Sequence, residues 1–99
     1  MTVIRPEKRE EIQRRREVAL AGHRGNETAA RMGLTDVAAG VRAAALGALY
    51  RMGRLTVRDV TLGLSDNSPR VRRRACEVSV ALPEAVSYTH LTLPTILLV

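Results

Sequence analysis

GLTDVAAGVRAAAL, from Gly33 to Leu46, and GLSDNSPRVRRRAC, from Gly63 to Cys76, are two versions of one pattern set 30 residues apart. Gly33 and Gly63, Leu34 and Leu64, Asp36 and Asp66, Val41 and Val71, Arg42 and Arg72, and Ala45 and Ala75 are identical pairs, and Thr35 answers to Ser65. The register extends backwards, aligning NETAARMGLTD (Asn26 to Asp36) with TVRDVTLGLSD (Thr56 to Asp66). A period of this size decides the fold class, because one such unit cannot bury its apolar face alone and must stack on a neighbour.

Each unit reads as a short helix, a turn and a long helix. From Val41 the apolar positions are Val41, Ala44, Ala45, Ala48, Leu49 and Met52, one continuous helical stripe, and Gly53 follows as its stop. In the second unit Val71, Ala75, Val78 and Leu82 form the matching stripe, opened by Ser68-Pro69 and followed by Pro83. The short helices are expected over about 27–32, capped by Asn26, and from Thr56 to about Leu64 with Val57, Val60 and Leu64 inward. Before the first unit, PEKREEIQRRREVALA (Pro6 to Ala21) reads as another long helix. Pro6 suits the first helical position, and Glu7, Glu10 and Glu11 complement the helix dipole. Glu10–Arg14 and Glu11–Arg15 stand at i,i+4 spacing, and Gly22 and Gly25 are expected to break the helix around His23. No strand pattern occurs before Val86.

The repeated spacing D-x5-V-R has a physical use. The aspartate lies at the turn and can satisfy backbone donors opening the long helix. The arginine lies in that helix's first turns and can reach the aspartate or loop carbonyls of an adjacent unit. Repetition would give a polar ladder along one edge, with Asp36, Arg42, Asp66 and Arg72 as its members.

On these residues the chain resembles the HEAT-repeat family in its short, PBS-lyase-like form, whose pattern is roughly D-x-x-P-x-V-R-x-x-A-x-x-A-L-x-x-L-G. The second unit carries Asp66, Pro69, Val71, Arg72 and Ala75, and the first carries Asp36, Val41, Arg42, Ala45, Ala48, Leu49, Met52 and Gly53. Ala39 stands where the proline is expected, and Val78-Ser79 where Ala-Leu is usual. The resemblance covers about Asn26 to Leu82. It implies an all-α, α-α superhelix, a HEAT-like solenoid fragment of about two and a half helix-pair units: an N-terminal helix and loop over 1–25, then repeats over 26–85. It also implies scaffolding and protein binding through a concave face. Some relatives resemble chromophore lyases, and some HEAT-like folds handle alkylated DNA.

Composition narrows the function. The chain has 99 residues and a net charge of +6, with no Phe or Trp. A core without those rings must be Ala, Val, Leu and Met, which suits close helix packing. Nearly all the cations are arginine, with Lys8 the exception, and abundant Ala, Val and Gly accompany them, as in a GC-rich genome. The charge is therefore weak evidence for nucleic acid, and before Val86 Tyr50 is the only aromatic that could stack a base. The runs Arg14-Arg15-Arg16 and Arg70-Val71-Arg72-Arg73-Arg74 are expected to scatter around their helices, since successive residues turn by about 100°. Arg70, Arg73 and Arg74 remain candidate contacts for an anionic partner.

Catalytic and metal constellations are not expected. His23 has no second histidine or carboxylate cluster at ligand spacing, and the glycines around it match no phosphate loop. Cys76, at the position of Leu46, is expected in the core. No cofactor is implied. The start, MTVIRPEKREE, lacks an apolar signal core, and no apolar run reaches the length of a membrane span, so the expected place is the cytoplasm.

The last stretch, VSYTHLTLPTILLV from Val86 to Val99, has no charge and no alanine. Val86 to Thr95 back-translates as GTC TCT TAT ACA CAT CTG ACG CTG CCG ACG, which is codon for codon the adaptor of transposase-based sequencing libraries. The expectation is that the biological sequence departs near Ala85 and that Tyr88 and His90 carry no role. The functional expectation is a non-catalytic HEAT-repeat scaffold binding another protein. The alternatives are a nucleic-acid module using an Arg-rich edge and the N-terminal part of a larger HEAT-like enzyme.

Overall fold

The computed structural model describes Val3 and residues 5–81. The expectations for Leu82, Pro83 and the 86–99 tail therefore lie outside the described residues. Every described element is a helix: α1 (Pro6–Arg24), α2 (Glu27–Gly33), α3 (Ala39–Arg51), α4 (Val57–Leu64) and α5 (Pro69–Ala81).

Helix ends follow local chemistry. Pro6 opens α1, and Asn26 caps α2 by accepting the Ala29 N–H at 3.2 Å. Thr56 and Asp59 form a reciprocal capping box on α4, with bonds of 2.9 and 3.1 Å. Gly53, at φ 70°, closes α3 as its N–H reaches the Tyr50 carbonyl and the Arg54 N–H the Leu49 carbonyl. One expected boundary was wrong. Gly22 does not break α1, which runs on to Arg24 and stops at Gly25, φ 73°. Gly22 instead permits a close approach of helices, since a Cβ there would lie 2.8 Å from Ala48 Cβ and 2.9 Å from its Cα.

α3 lies between α1 and α5, packing on both, while α2 packs on α1 and α3, and α4 mainly on α5. α3 is accordingly buried nearly all round, through Val41, Ala43, Ala45, Leu46, Ala48 and Leu49. The most deeply buried large side chains are Leu46, Leu49, Val41 and Val71. The repeated glycine and alanine now have a shared explanation. A Cβ on Gly33 would meet Ala45 Cβ at 3.1 Å, and one on Gly63 would meet Ala75 Cβ at 2.9 Å. Each short helix lies so close to the long helix that follows it that only these small residues fit.

Two core expectations are corrected. Leu64 is 44% exposed, because Gly63 takes the inward place on α4 against Ala75 and Leu46. Cys76 is exposed although Leu46, its counterpart, is buried. Leu46 sits beneath Gly63 of the following unit, whereas no described element covers Cys76.

Candidate functional site

Two regions of arginine chemistry stand out, and they differ in what the guanidinium groups meet.

The first is the turn edge. Asp36 and Asp66 occupy equivalent loops, and each takes a backbone N–H two residues on, from Ala38 and Ser68, at 2.9 Å. Neither carboxylate pairs with the arginine six residues later. Asp36 receives the fork of Arg14, Nε at 2.8 Å and Nη2 at 3.2 Å. Asp66 receives the fork of Arg42, Nε at 3.0 Å and Nη2 at 3.1 Å. Arg42 also turns Nη1 back onto its own loop, donating to the Asp36 and Val37 carbonyls at 2.8 and 3.1 Å. Each rung thus joins the long helix of one unit to the turn of the next.

Arg72 repeats only half of this arrangement. Its Nη1 donates to the Asp66 carbonyl at 2.7 Å, and among the described residues no carboxylate meets the rest of its fork. Arg14 was not among the expected ladder members. Its signal was available, since it precedes Arg42 by about one repeat period, but the expected Glu10–Arg14 pairing obscured it. Arg14 turns to Asp36 instead, because that turn offers a planar bidentate partner. Lys8 similarly takes Glu11 at 3.4 Å in place of the expected Glu11–Arg15 pair.

The electrostatics follow the geometry. The Arg14 guanidinium holds the Asp36 carboxyl below its ordinary value, against a smaller opposing effect of burial and with help from the Ala38 N–H. Arg42 and the Ser68 N–H do the same for Asp66. Asp36 raises the pKa of Arg14 in return.

A second polar network joins α2 and α4, whose backbones do not pack together. Arg31 donates from Nε to Glu27 at 2.8 Å and from Nη1 to both Asp59 oxygens at 3.1 Å. Its Nη2 reaches the Arg54 carbonyl at 2.9 Å, and Arg54 pairs with Glu27 at 3.1 Å. Arg31, then Arg54, depresses the Glu27 pKa. The sequence signal for this network is the T-x-x-D cap at Thr56 and Asp59, which places a carboxylate at the start of α4 but does not reveal Arg31 as its partner. Between these pairs and the Arg42–Asp66 rung lies a cleft of about 340 Å³ floored by Leu34, Leu46 and Val71.

The second region is a groove of about 410 Å³ along α1, α3 and α5, within the size range of ligand sites. Arg15, Arg51, Arg70, Arg73 and Arg74 line it, over a floor that includes Gly40, Ala43 and Ala44. The 14–16 run scatters as expected, with Arg14 at the turn edge and Arg15 in the groove, but three arginines of the 70–74 run come together. Positions i, i+3 and i+4 share a helix face, so Arg70, Arg73 and Arg74 converge, while Arg72 alone turns to the loop edge. Glycines let the guanidinium groups lie low. Arg70 Nη1 is 3.0 Å from the place of a Gly40 Cβ, and Arg74 Nη1 is 2.9 Å from that of a Gly47 Cβ. Arg74 pairs with Glu77 at 3.3 Å. Among the described residues Arg15, Arg51, Arg70 and Arg73 have no carboxylate within ion-pair distance.

His23 is exposed at the end of α1. Among the described residues there is no group of His, Cys, Asp or Glu that could hold a metal, and no helix long and apolar enough to cross a membrane. Compared with protein-family models, curated proteins and solved structures, the chain matches none.

Proposed function

We propose that this chain is a non-catalytic helical-repeat scaffold of the HEAT type, an α-α superhelix fragment that holds another protein. The carrying observation is the repeated rung: Arg14 to Asp36, then Arg42 to Asp66, each linking one unit to the next in the same bidentate geometry. A stack fixed in this way offers a continuous face made by successive long helices. The groove along α1, α3 and α5 lies on that face and is the surface on which a partner would rest.

A photo-crosslinking residue at Ala44, on the groove floor, tests the reading in cells of the source organism against the same residue at the exposed Arg58, outside the groove. Nuclease-resistant protein adducts specific to the Ala44 position are the expected result. Adducts to nucleic acid would transfer the reading to a nucleic-acid module. An equal yield from both positions would remove the groove as a binding face.

A further inference from the structure

We infer that the α1/α3/α5 groove is a receptor for an acidic, carboxylate-bearing segment of a partner protein. The inference rests on the scaffold reading and specifies its partner chemistry.

Arginines from three separate helices point into one groove. Along the turn edge and between α2 and α4, Arg14, Arg31, Arg42 and Arg54 each meet a carboxylate, and the other arginines without one among the described residues, such as Arg16, Arg24 and Arg58, do not line this groove. In the groove only Arg74 meets a carboxylate, that of the exposed Glu77. Arg15, Arg51, Arg70 and Arg73 are concentrated there with no carboxylate of the described residues in ion-pair contact, so five guanidinium groups outnumber the nearby Glu77 and Glu11. Gathering like charges in this way is unfavourable in the isolated chain and becomes favourable when an anion enters.

The geometry favours carboxylates over a phosphate backbone. The forks lie on three helices, Arg15 on α1, Arg51 on α3 and Arg70, Arg73 and Arg74 on α5, and a planar fork binds a side-chain carboxylate bidentately, as it does a phosphate, so the choice falls to the rest of the lining. The floor of Gly40, Ala43 and Ala44 admits the aliphatic stems of such side chains. Glu77 lines the groove, and Glu11 Oε1 lies 3.5 Å from the place of a Gly40 Cβ. Each would repel a continuous polyanion, whereas a peptide can present apolar or neutral residues there. No aromatic ring lines the groove to stack a base.

The test is fluorescence anisotropy of the full chain with a labelled oligoglutamate peptide at physiological salt, with unlabelled duplex DNA as competitor. Binding is expected, and Arg70→Ala with Arg73→Ala should weaken it by at least about tenfold, a loss of about 1.4 kcal/mol. Arg58→Ala, outside the groove, should change it little. Because the double variant could lose its fold, Glu77→Gln supplies an independent reading in the opposite direction. Releasing Arg74 should tighten peptide binding. Absence of peptide binding, equal loss with Arg58→Ala, or no gain with Glu77→Gln would each overturn the inference. So would duplex DNA that displaces the peptide at lower concentration than unlabelled peptide does. If the peptide fails while Ala44 still crosslinks to protein, only the partner's chemistry is wrong and the scaffold reading stands.

Discussion

Arg42 and Arg70 belong to the same kind of helix in the same chain, yet they live under opposite conditions. Arg42 is 17% exposed, forks onto Asp66, and turns a third nitrogen to two loop carbonyls. Arg70 lies over Gly40 in a groove where among the described residues no carboxylate pairs with it. The turn edge is electrostatically closed and the groove is open. An arginine's role in this fold is therefore set by which loop or helix faces it, and an arginine-rich composition is silent on that point. The turn edge also has a gradient of its own, from the well-covered Arg42 rung, through the outer Arg14 rung, to Arg72, which among the described residues meets only a carbonyl.

Acid should test both rungs at once and give the largest effect. Asp36 and Asp66 have carboxyls held below their ordinary value. Their contribution is complete above the unfolded value of about 3.9 and is lost as pH falls below it toward the native value. Thermal melts followed by circular dichroism should show stability dropping in that window. The Asp66→Asn variant should start lower and lose less. An equal acid loss in the variant would show that the Arg42 rung is not what titrates.

Among single substitutions, Arg42→Ala should cost most, about 3 kcal/mol by denaturant titration. It takes the charged partner from a largely covered carboxylate, which keeps the Ser68 N–H, and the donor from two loop carbonyls. Arg14→Ala should cost less, about 1 kcal/mol, because Arg14 is 39% exposed and water replaces part of the lost bond. Equal costs for the two would erase the gradient along the edge. Arg72→Ala should change stability by no more than about 0.5 kcal/mol in the same titration. A cost near that of Arg42→Ala would mean that its fork has a carboxylate partner after all.

Much of the architecture was legible because it is local or periodic. The Val41 to Met52 stripe, the Asn26 and Thr56 caps and the D-x5-V-R spacing each leave a mark in the sequence that needs no knowledge of the partner helix. The misreadings share one cause, which is dependence on an element far away in the chain. Gly22 reads as a breaker unless Ala48 is known to press against it. Cys76 reads as core by analogy with Leu46, but Leu46 is covered by the next short helix. Arg14 reads as the partner of Glu10 until Asp36 is brought beside it.

The sequence by itself determined the helical class, the repeat of 30 residues and the polar edge as a possibility, because helix periodicity, caps and repeat spacing are properties of neighbouring residues. Tertiary structure alone decided that each aspartate pairs with the arginine of the preceding long helix and not with its own. It alone gathered Arg15, Arg51 and the Arg70 set into one groove. Both outcomes depend on how closely the helices approach, and here that distance is set by small residues such as Gly22, Gly33 and Gly63, whose contacts lie well outside their own helices.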